Sequence, residues 1–150
     1  MPIISSQRLD QIYADDRRQI PDDALDVMFK RAEALSKADR MLLELAFKHN
    51  CTVRRLGELF EAEPGTISRR LRRICTRLRE PIVAAILEPT CQLLPEYRQL
   101  AIEYFVQGLR LADLAEQHQM PLTQVRSIVH FVRAWFRGTH RQTRRGFSRV

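Results

Sequence analysis

Apolar residues near the middle of the chain recur with the period of an α-helix. The apolar face of the first such helix consists of Val53, Leu56, Leu59 and Phe60. Spacings of three and four residues place these side chains on one side of a helix. Thr52 stands immediately in front and suits the N-cap position, where a hydroxyl can accept a backbone hydrogen bond. The pattern predicts a short helix with one buried side.

A second helical pattern begins after a break at residues 61–63. Pro64 suits the first position of a helix, because its missing N–H would be unpaired there anyway. Pro81 ends the run. The apolar stripe of this helix is Ile67, Leu71, Ile74 and Leu78. Together the two patterns predict a helix-turn-helix over Thr52–Arg79.

The face opposite this stripe is rich in arginine. Counting about 100° per residue from Ile67 places Arg70 on the flank of that face. The face itself holds Gly65, Thr66, Ser68, Arg69, Arg72 and Arg73. A merely solvated face would be expected to mix Lys with Glu, whereas all the charges here have one sign. Arginine can bind guanine edges or phosphates, and small residues at the helix start let the backbone approach a groove. The pattern therefore predicts a recognition helix.

The same pattern returns 58 residues later. A gapless shift pairs Leu35 with Leu93, Arg40 with Arg98, Leu42 with Leu100, Phe47 with Phe105, Leu56 with Leu114, Gly57 with Ala115, Ile67 with Val125, Leu71 with Val129 and Ile74 with Val132. Chance easily aligns a few apolar positions. An aromatic, a small residue and a turn that stay in register over about 40 residues favour an internal duplication.

The second copy predicts helices over about 94–106, 109–118 and 121–137, with Gly108 closing the first of them. Its outward positions are Thr123, Gln124, Arg126, Ser127, His130 and Phe131. They include one certain positive charge where the first copy has three, and Gln124 and Arg126 keep groups that can read bases. The apolar residues of this helix spread widely: Ile128, Phe131, Trp135 and Phe136. Packing on the N-terminal helices is the favoured interpretation, and a dimer surface is the alternative.

These patterns predict an all-α fold of two tandem tri-helical helix-turn-helix units. The expected order is N-terminal support helices at 1–35, a first unit at 36–80, a connecting segment at 81–93, a second unit at 94–137, and a flexible basic tail at 138–150. The support region contains a weak amphipathic segment around Leu9 and a stronger one that begins at Pro21. The tail would either add phosphate or minor-groove contacts or only keep the protein soluble.

Composition narrows the class of protein. The chain has 150 residues and a net charge of +7, which comes from arginine much more than lysine and favours a polyanionic partner. No apolar stretch approaches the roughly 20 residues of a membrane span. The first residues lack the pattern of a signal peptide, so we expect a cytoplasmic, nucleoid-associated protein without membrane contact.

The chain has few of the residues that catalysis or metal binding would require. Its three cysteines are odd in number and lack CxxC spacing, which predicts neither a disulfide framework nor a zinc site. The histidines lie on separate predicted elements: His49, His118, His130 and His140. No pairing of nucleophile and base and no phosphate-binding glycine loop is visible. We expect no enzymatic activity and no cofactor.

The first helix pair, TVRRLGELFEAEPGTISRRLRRI, resembles the region 4 helix-turn-helix of bacterial sigma-70-type factors. The matching positions are Leu56-Gly57, Ala62 and Gly65-Thr66-Ile67, and the preceding ADRMLLELAF looks like the support helix of that family. The second unit resembles the same class and, more loosely, plasmid and fimbrial regulators of the TrfB and PapB types. Glu61 and Gln119 replace the usual turn glycine. No region 2 pattern is visible, so a complete sigma factor is not expected.

The resemblance implies that the outward residues of the first recognition helix face the major groove of double-stranded DNA. The leading hypothesis is a sequence-specific transcription regulator in which Arg69, Arg72 and Arg73 read bases. Phosphate contacts would come from Arg70, Arg77 and Arg79. The second unit would be another reader or a homodimer module. The alternative is a sigma-like or anti-sigma-like adaptor that acts on RNA polymerase or another regulator, and RNA binding ranks third.

Overall fold

The computed structural model describes the backbone of residues 22–146 and the side chains of residues 22–139. This part of the chain contains α-helices and one π-helical turn but no strand, which confirms the all-α class. The helices are α1 (Asp22–Ala32), α2 (Lys37–Phe47), α3 (Val53–Leu59), α4 (Pro64–Arg79), α5 (Pro81–Leu87), α6 (Pro95–Ala101), α7 (Leu111–Gln117) and α8 (Leu122–Gly146), and the π-helical turn Ile102–Val106 continues α6. The amphipathic segment predicted around Leu9 lies outside the described residues.

The chain divides into two compact units between Arg79 and Glu80. In the first unit, α4 packs against α1, α2 and α3. Its helices begin where the sequence offers caps: the Ser36 hydroxyl accepts from the Asp39 amide at 3.3 Å, and the Thr52 hydroxyl accepts from the Arg55 amide at 3.2 Å. The fully buried core includes Leu42, Leu43, Val53, Leu56, Ile67, Ile74 and Leu78.

The second unit is built from α5, α6 with its π-helical turn, α7 and α8. The segment at 81–93, expected from the sequence to connect two units, forms α5 and supplies Ile86 and Leu93 to the core of this unit. The remaining buried core residues are Leu100, Ala101, Leu114, Val125, Ile128, Val129 and Val132. The apolar stripe of α8 therefore contributes to the core of the second unit as the stripe of α4 contributes to the core of the first.

Backbone geometry repeats between the units at the 58-residue offset. Glu61 and Gln119 each have φ of 52°, in the left-handed region that favours glycine. Asn50 and Gly108, which follow the second helix of each unit, have φ of 53° and 73°. After each strained residue the next amide closes the turn: Ala62 donates to the Gly57 carbonyl, and Met120 to the Ala115 carbonyl, both at 2.9 Å. The helix pairs α3–α4 and α7–α8 thus share one turn conformation.

The C-terminal helix is longer than the sequence predicts. A flexible tail was expected from Gly138, whereas α8 continues through Gly146 and has 25 residues. A single glycine lowers helix stability by only about 1 kcal/mol, and no proline interrupts this segment. The Thr139 hydroxyl also bonds within the helix, donating to the carbonyls of Trp135 and Phe136 at 3.1 and 3.0 Å. The expectation of an irregular tail is therefore wrong for residues 138–146.

Candidate nucleic-acid interface

Helix α4 carries a concentration of positive charge on the side opposite its core stripe. It contains six arginines and no Asp or Glu over its 16 residues. Its apolar residues are buried against α1, α2 and α3, which leaves the arginines to the outer side. Because burial of the stripe determines how the helix is rotated, the core of the unit decides which arginines face solvent.

Three of these arginines form an exposed set without carboxylate partners, which we call the arginine face: Arg69, Arg72 and Arg73. No ion pair joins any of them to an acid in the described part of the chain; Arg69 makes only a long hydrogen bond of 3.5 Å to the Thr66 hydroxyl. With Thr76 and Arg77 they line one shallow depression. Three guanidinium groups within about one helical turn, uncompensated by acids, form a surface that attracts anions.

Two other arginines of α4 bind a carboxylate of their own unit. Asp39 on α2 is 8% exposed and accepts from Arg70 Nε at 2.8 Å and Nη2 at 2.7 Å. Arg77 Nη2 lies 3.8 Å from the second carboxylate oxygen of Asp39, and the buried Arg77 Nε has no hydrogen-bond acceptor among the described residues. Burial lowers the pKa of Arg77; the Asp39 carboxylate opposes that shift, while Arg73 and Arg70 add to it.

The contacts of Asp39 involve two arginines to which the sequence assigns phosphate contacts. In the structure the guanidinium groups of Arg70 and Arg77 lie against Asp39 and attach α4 to α2. Ser68 was placed on the outward face, but it is 9% exposed and lies on the packed side of α4. That placement is wrong. Ser68 lies about 100° around the helix from the core residue Ile67, and at this angle it still falls within the packed side of α4.

The start of α4 offers open space. Gly65 is half-buried and Thr66 is exposed. A Cβ added to Gly65 would meet no atom within 4 Å, so the fold itself does not require glycine there. At Gly57 in α3, by contrast, an added Cβ would lie 2.7 Å from the backbone oxygen of Ala62. Close packing at the turn thus explains Gly57, whereas no contact among the described residues requires glycine at residue 65.

The corresponding positions of α8 are also at the surface. Thr123, Gln124, Arg126, Ser127 and His130 are all exposed. They carry the single formal positive charge of Arg126, and the Ser127 hydroxyl donates to the Thr123 carbonyl at 3.0 Å. Over the whole units the charges differ little: residues 1–79 contain 16 Lys and Arg against 12 Asp and Glu, and residues 80–150 contain nine against six. The difference in charge between the units is therefore local to the outward faces of α4 and α8.

A polar cluster around a buried carboxylate in the second unit was not foreseen from the sequence. Glu103, in the π-helical turn, is 5% exposed, and its carboxylate bonds Gln99 Nε2 at 2.9 Å, Gln117 Nε2 at 3.3 Å and His118 Nε2. The matching positions in the first unit are apolar: Met41, Leu45, Leu59 and Phe60. Aligning the two units at the 58-residue offset would have shown that all four of these polar residues stand where the first unit has apolar ones.

The described residues show no group of three or more His, Cys, Asp or Glu side chains placed to hold a metal ion. All three cysteines have free thiols. Among the helices between residues 22 and 146, none is both long and apolar enough to cross a membrane. The chain matches no protein-family model, no curated protein and no solved structure.

Proposed function

We propose that this protein binds double-stranded DNA in a sequence-specific way through α4 and acts as a transcriptional regulator. The observation that carries the proposal is the arginine face, because Arg69, Arg72 and Arg73 are exposed together and none forms an ion pair with a carboxylate of the described residues. An α-helix fits the major groove of B-form DNA, and a guanidinium group can donate two hydrogen bonds to one guanine. The arginine face supplies three such groups on one helix.

The rest of the unit supports this use of α4. The small residues Gly65 and Thr66 leave the first turn open, so the backbone can approach a groove wall. Asp39 contacts Arg70 and Arg77 and so adds a polar attachment between α2 and α4 to the buried stripe that sets the rotation of α4. A reading helix must keep its side chains in one geometry to distinguish bases. We therefore assign base contacts to the arginine face and a positioning role to the Asp39 cluster.

The first experiment is to identify the DNA sequence that the protein prefers. A selection from random duplex DNA with the full chain would give the motif, and fluorescence anisotropy would then give affinities. Arg69→Ala and Arg72→Ala should each weaken cognate binding by about 1–3 kcal/mol and relax one base preference. Arg110→Ala is the matched control, because Arg110 is an 84% exposed arginine paired with Asp113 in the second unit. Failure to enrich any sequence, or parental affinity of both variants for an enriched sequence, would refute the proposal.

Gly65→Ala separates binding from folding. The added methyl group meets no atom of the protein and suits a helix, so the thermal stability should stay the same or rise slightly. If the first turn of α4 approaches a groove wall, the same methyl group should weaken DNA binding. Parental affinity of a folded Gly65→Ala variant would show that this turn stays away from DNA.

The dependence on salt tests how much of the affinity comes from phosphates. Each neutralised phosphate steepens the decline of log K with log salt concentration by about 0.9. Because Asp39 already pairs with Arg70 and Arg77, we expect Arg77→Ala to change this slope less than Arg73→Ala does. Equal reductions would show that Arg77 leaves Asp39 and binds a phosphate in the complex.

A further inference from the structure

Helix α8 carries a row of arginines along one flank, which we call the α8 row: Arg126, Arg133 and Arg137. Counted at 100° per residue, the three positions lie within about 40° of one another, over a length of roughly 16 Å. All three side chains are exposed, and none forms an ion pair with a carboxylate of the described residues. Over its 25 residues α8 contains six arginines and no Lys, Asp or Glu.

The first unit has no counterpart of this row. At the 58-residue offset, Arg126 and Arg133 correspond to Ser68 and Cys75 of α4. Both of those residues are only 9% exposed. This flank of the helix is therefore covered in the first unit and open to solvent in the second. The α8 row is a charged surface that belongs to the second unit alone.

The surroundings of the row restrain one of its members. The guanidinium carbon of Arg133 lies over the rings of Tyr104 and Phe105, at 5.9 and 5.6 Å from their centroids. Such contacts orient a guanidinium group without neutralising its charge. Arg133 and Arg137 also line a depression of about 400 Å³ in which Glu80 is the only acid among the lining residues. With two arginines against one acid, the depression keeps a net positive charge.

We propose that the α8 row binds backbone phosphates of double-stranded DNA, in contacts that do not depend on base sequence. Charge selects a polyanion, because three arginines in a row have no acid to balance them. Arginine without lysine suits phosphate in particular, since a guanidinium group can donate two parallel hydrogen bonds to one phosphate group. In naming DNA the inference rests on the proposed function, yet it needs no base reading by α4.

The packing around the row favours duplex DNA over two other polyanions. Anionic membranes bind amphipathic helices through an apolar face that enters the lipid, but the apolar stripe of α8 is buried in the core at Val125 and Val132. Single strands bind through bases that stack on aromatic rings. Beside the row, however, Phe105 packs edge to face with Tyr104 at 4.9 Å and lies under Arg133. A duplex presents its phosphates without either requirement.

Fluorescence anisotropy tests the proposal with the full chain and a duplex of arbitrary sequence, between about 50 and 200 mM salt. Arg126→Gln and Arg137→Gln should each weaken binding about fivefold to tenfold and reduce the slope of log K against log salt concentration by about 0.9. The double variant should reduce the slope by about 1.8. Arg110→Gln is the matched control, because it removes the same charge from an exposed arginine that already pairs with Asp113, and it should leave the slope nearly unchanged.

A second duplex, which carries the motif selected by the parent, separates this inference from base reading by α4. The α8 variants should weaken both duplexes equally, because phosphates are the same in every sequence, whereas Arg69→Ala should weaken mainly the motif duplex. If no motif is selected, base reading fails, and the slope on the first duplex still tests the α8 row. A single-stranded oligonucleotide, phosphatidylserine vesicles and polyglutamate are measured under the same conditions.

Circular dichroism identifies the folded variants, and either single variant suffices if the other fails to fold. The proposal is overturned if the parent does not bind the duplex of arbitrary sequence, or if the folded variants keep the parental slope. It is also overturned if the variants weaken only the motif duplex, or if they lose more affinity for one of the other three polyanions than for duplex DNA.

Discussion

Asp39 on α2 accepts a hydrogen bond of 2.8 Å from Arg70 Nε on α4, across 31 residues of sequence. The same carboxylate is the ion-pair partner of Arg77. The Asp39 side chain, which is 11% exposed, contacts two arginines and so connects α2 to α4, the helix that carries the arginine face. Its removal would leave two partly buried cations without compensation.

Asp39→Ala should therefore destabilise the first unit. We expect the free energy of unfolding to fall by about 1–3 kcal/mol, less than for a fully buried pair because the Arg70 side chain is 39% exposed. Urea denaturation followed by circular dichroism measures the change. Asp113→Ala, which removes the partner of the exposed Arg110, should leave the midpoint nearly unchanged. Equal effects of the two substitutions would contradict a structural role for Asp39.

Gly57→Ala should destabilise the turn of the first helix pair. The new methyl group would lie 2.7 Å from the Ala62 carbonyl oxygen, which is backbone and already accommodates the tight turn, so α3 or the turn must shift. Overpacking of this kind costs about 1–3 kcal/mol. Thermal denaturation with Gly65→Ala as the comparison would measure it. A melting temperature of Gly57→Ala at or above that of the parent would rule out this close contact.

Glu61→Gly should have the opposite effect. Glu61 has φ of 52°, a conformation that disfavours residues with a Cβ by roughly 1–2 kcal/mol, and its side chain is exposed. Part of that gain is offset by the greater freedom of glycine in the unfolded chain, so we expect a net stabilisation of about 1 kcal/mol. Glu61→Val should destabilise, because a β-branched residue fits this region worse. Similar stability of the two variants would show that the backbone at residue 61 is unstrained.

The Glu103 cluster can be tested by restoring the residues of the first unit. Glu103→Leu leaves the side chains of Gln99, Gln117 and His118 without their acceptor, and His118→Phe removes one donor from a buried carboxylate. Each should lower the free energy of unfolding by about 1–3 kcal/mol. The double variant, which reproduces Leu45 and Phe60, should lose clearly less than the two single losses combined.

Fluorescence of Trp135, the only tryptophan of the chain, reports unfolding of the second unit in this experiment. Glu103→Leu, His118→Phe and the double variant should be measured in parallel with the parent. Additive losses would mean that the carboxylate and the imidazole do not stabilise each other.

The sequence by itself determined most of the helices, because their signals are local. Thr52 caps the helix that it precedes, Pro64 begins the next, and the stripe from Ile67 to Leu78 is buried as its spacing predicts. The break at 61–63 was also visible, and so was the return of the pattern 58 residues later. The exposure of Arg69, Arg72 and Arg73 follows from the same periodicity, because burial of one stripe turns the opposite side outward.

Only the tertiary structure decided which polar side chains meet. Asp39 and Arg70 are far apart in sequence, and the partners of Glu103 come from both α7 and α6. No local spacing encodes such pairs, because they depend on how separate helices pack. The tertiary structure also decided two helix assignments. Helix α8 extends beyond Gly138 because its backbone hydrogen bonding continues. Residues 81–87 form a helix of the second unit because Val83 and Ile86 are buried there. Periodicity shows which side of a helix is buried, and packing decides what that side touches.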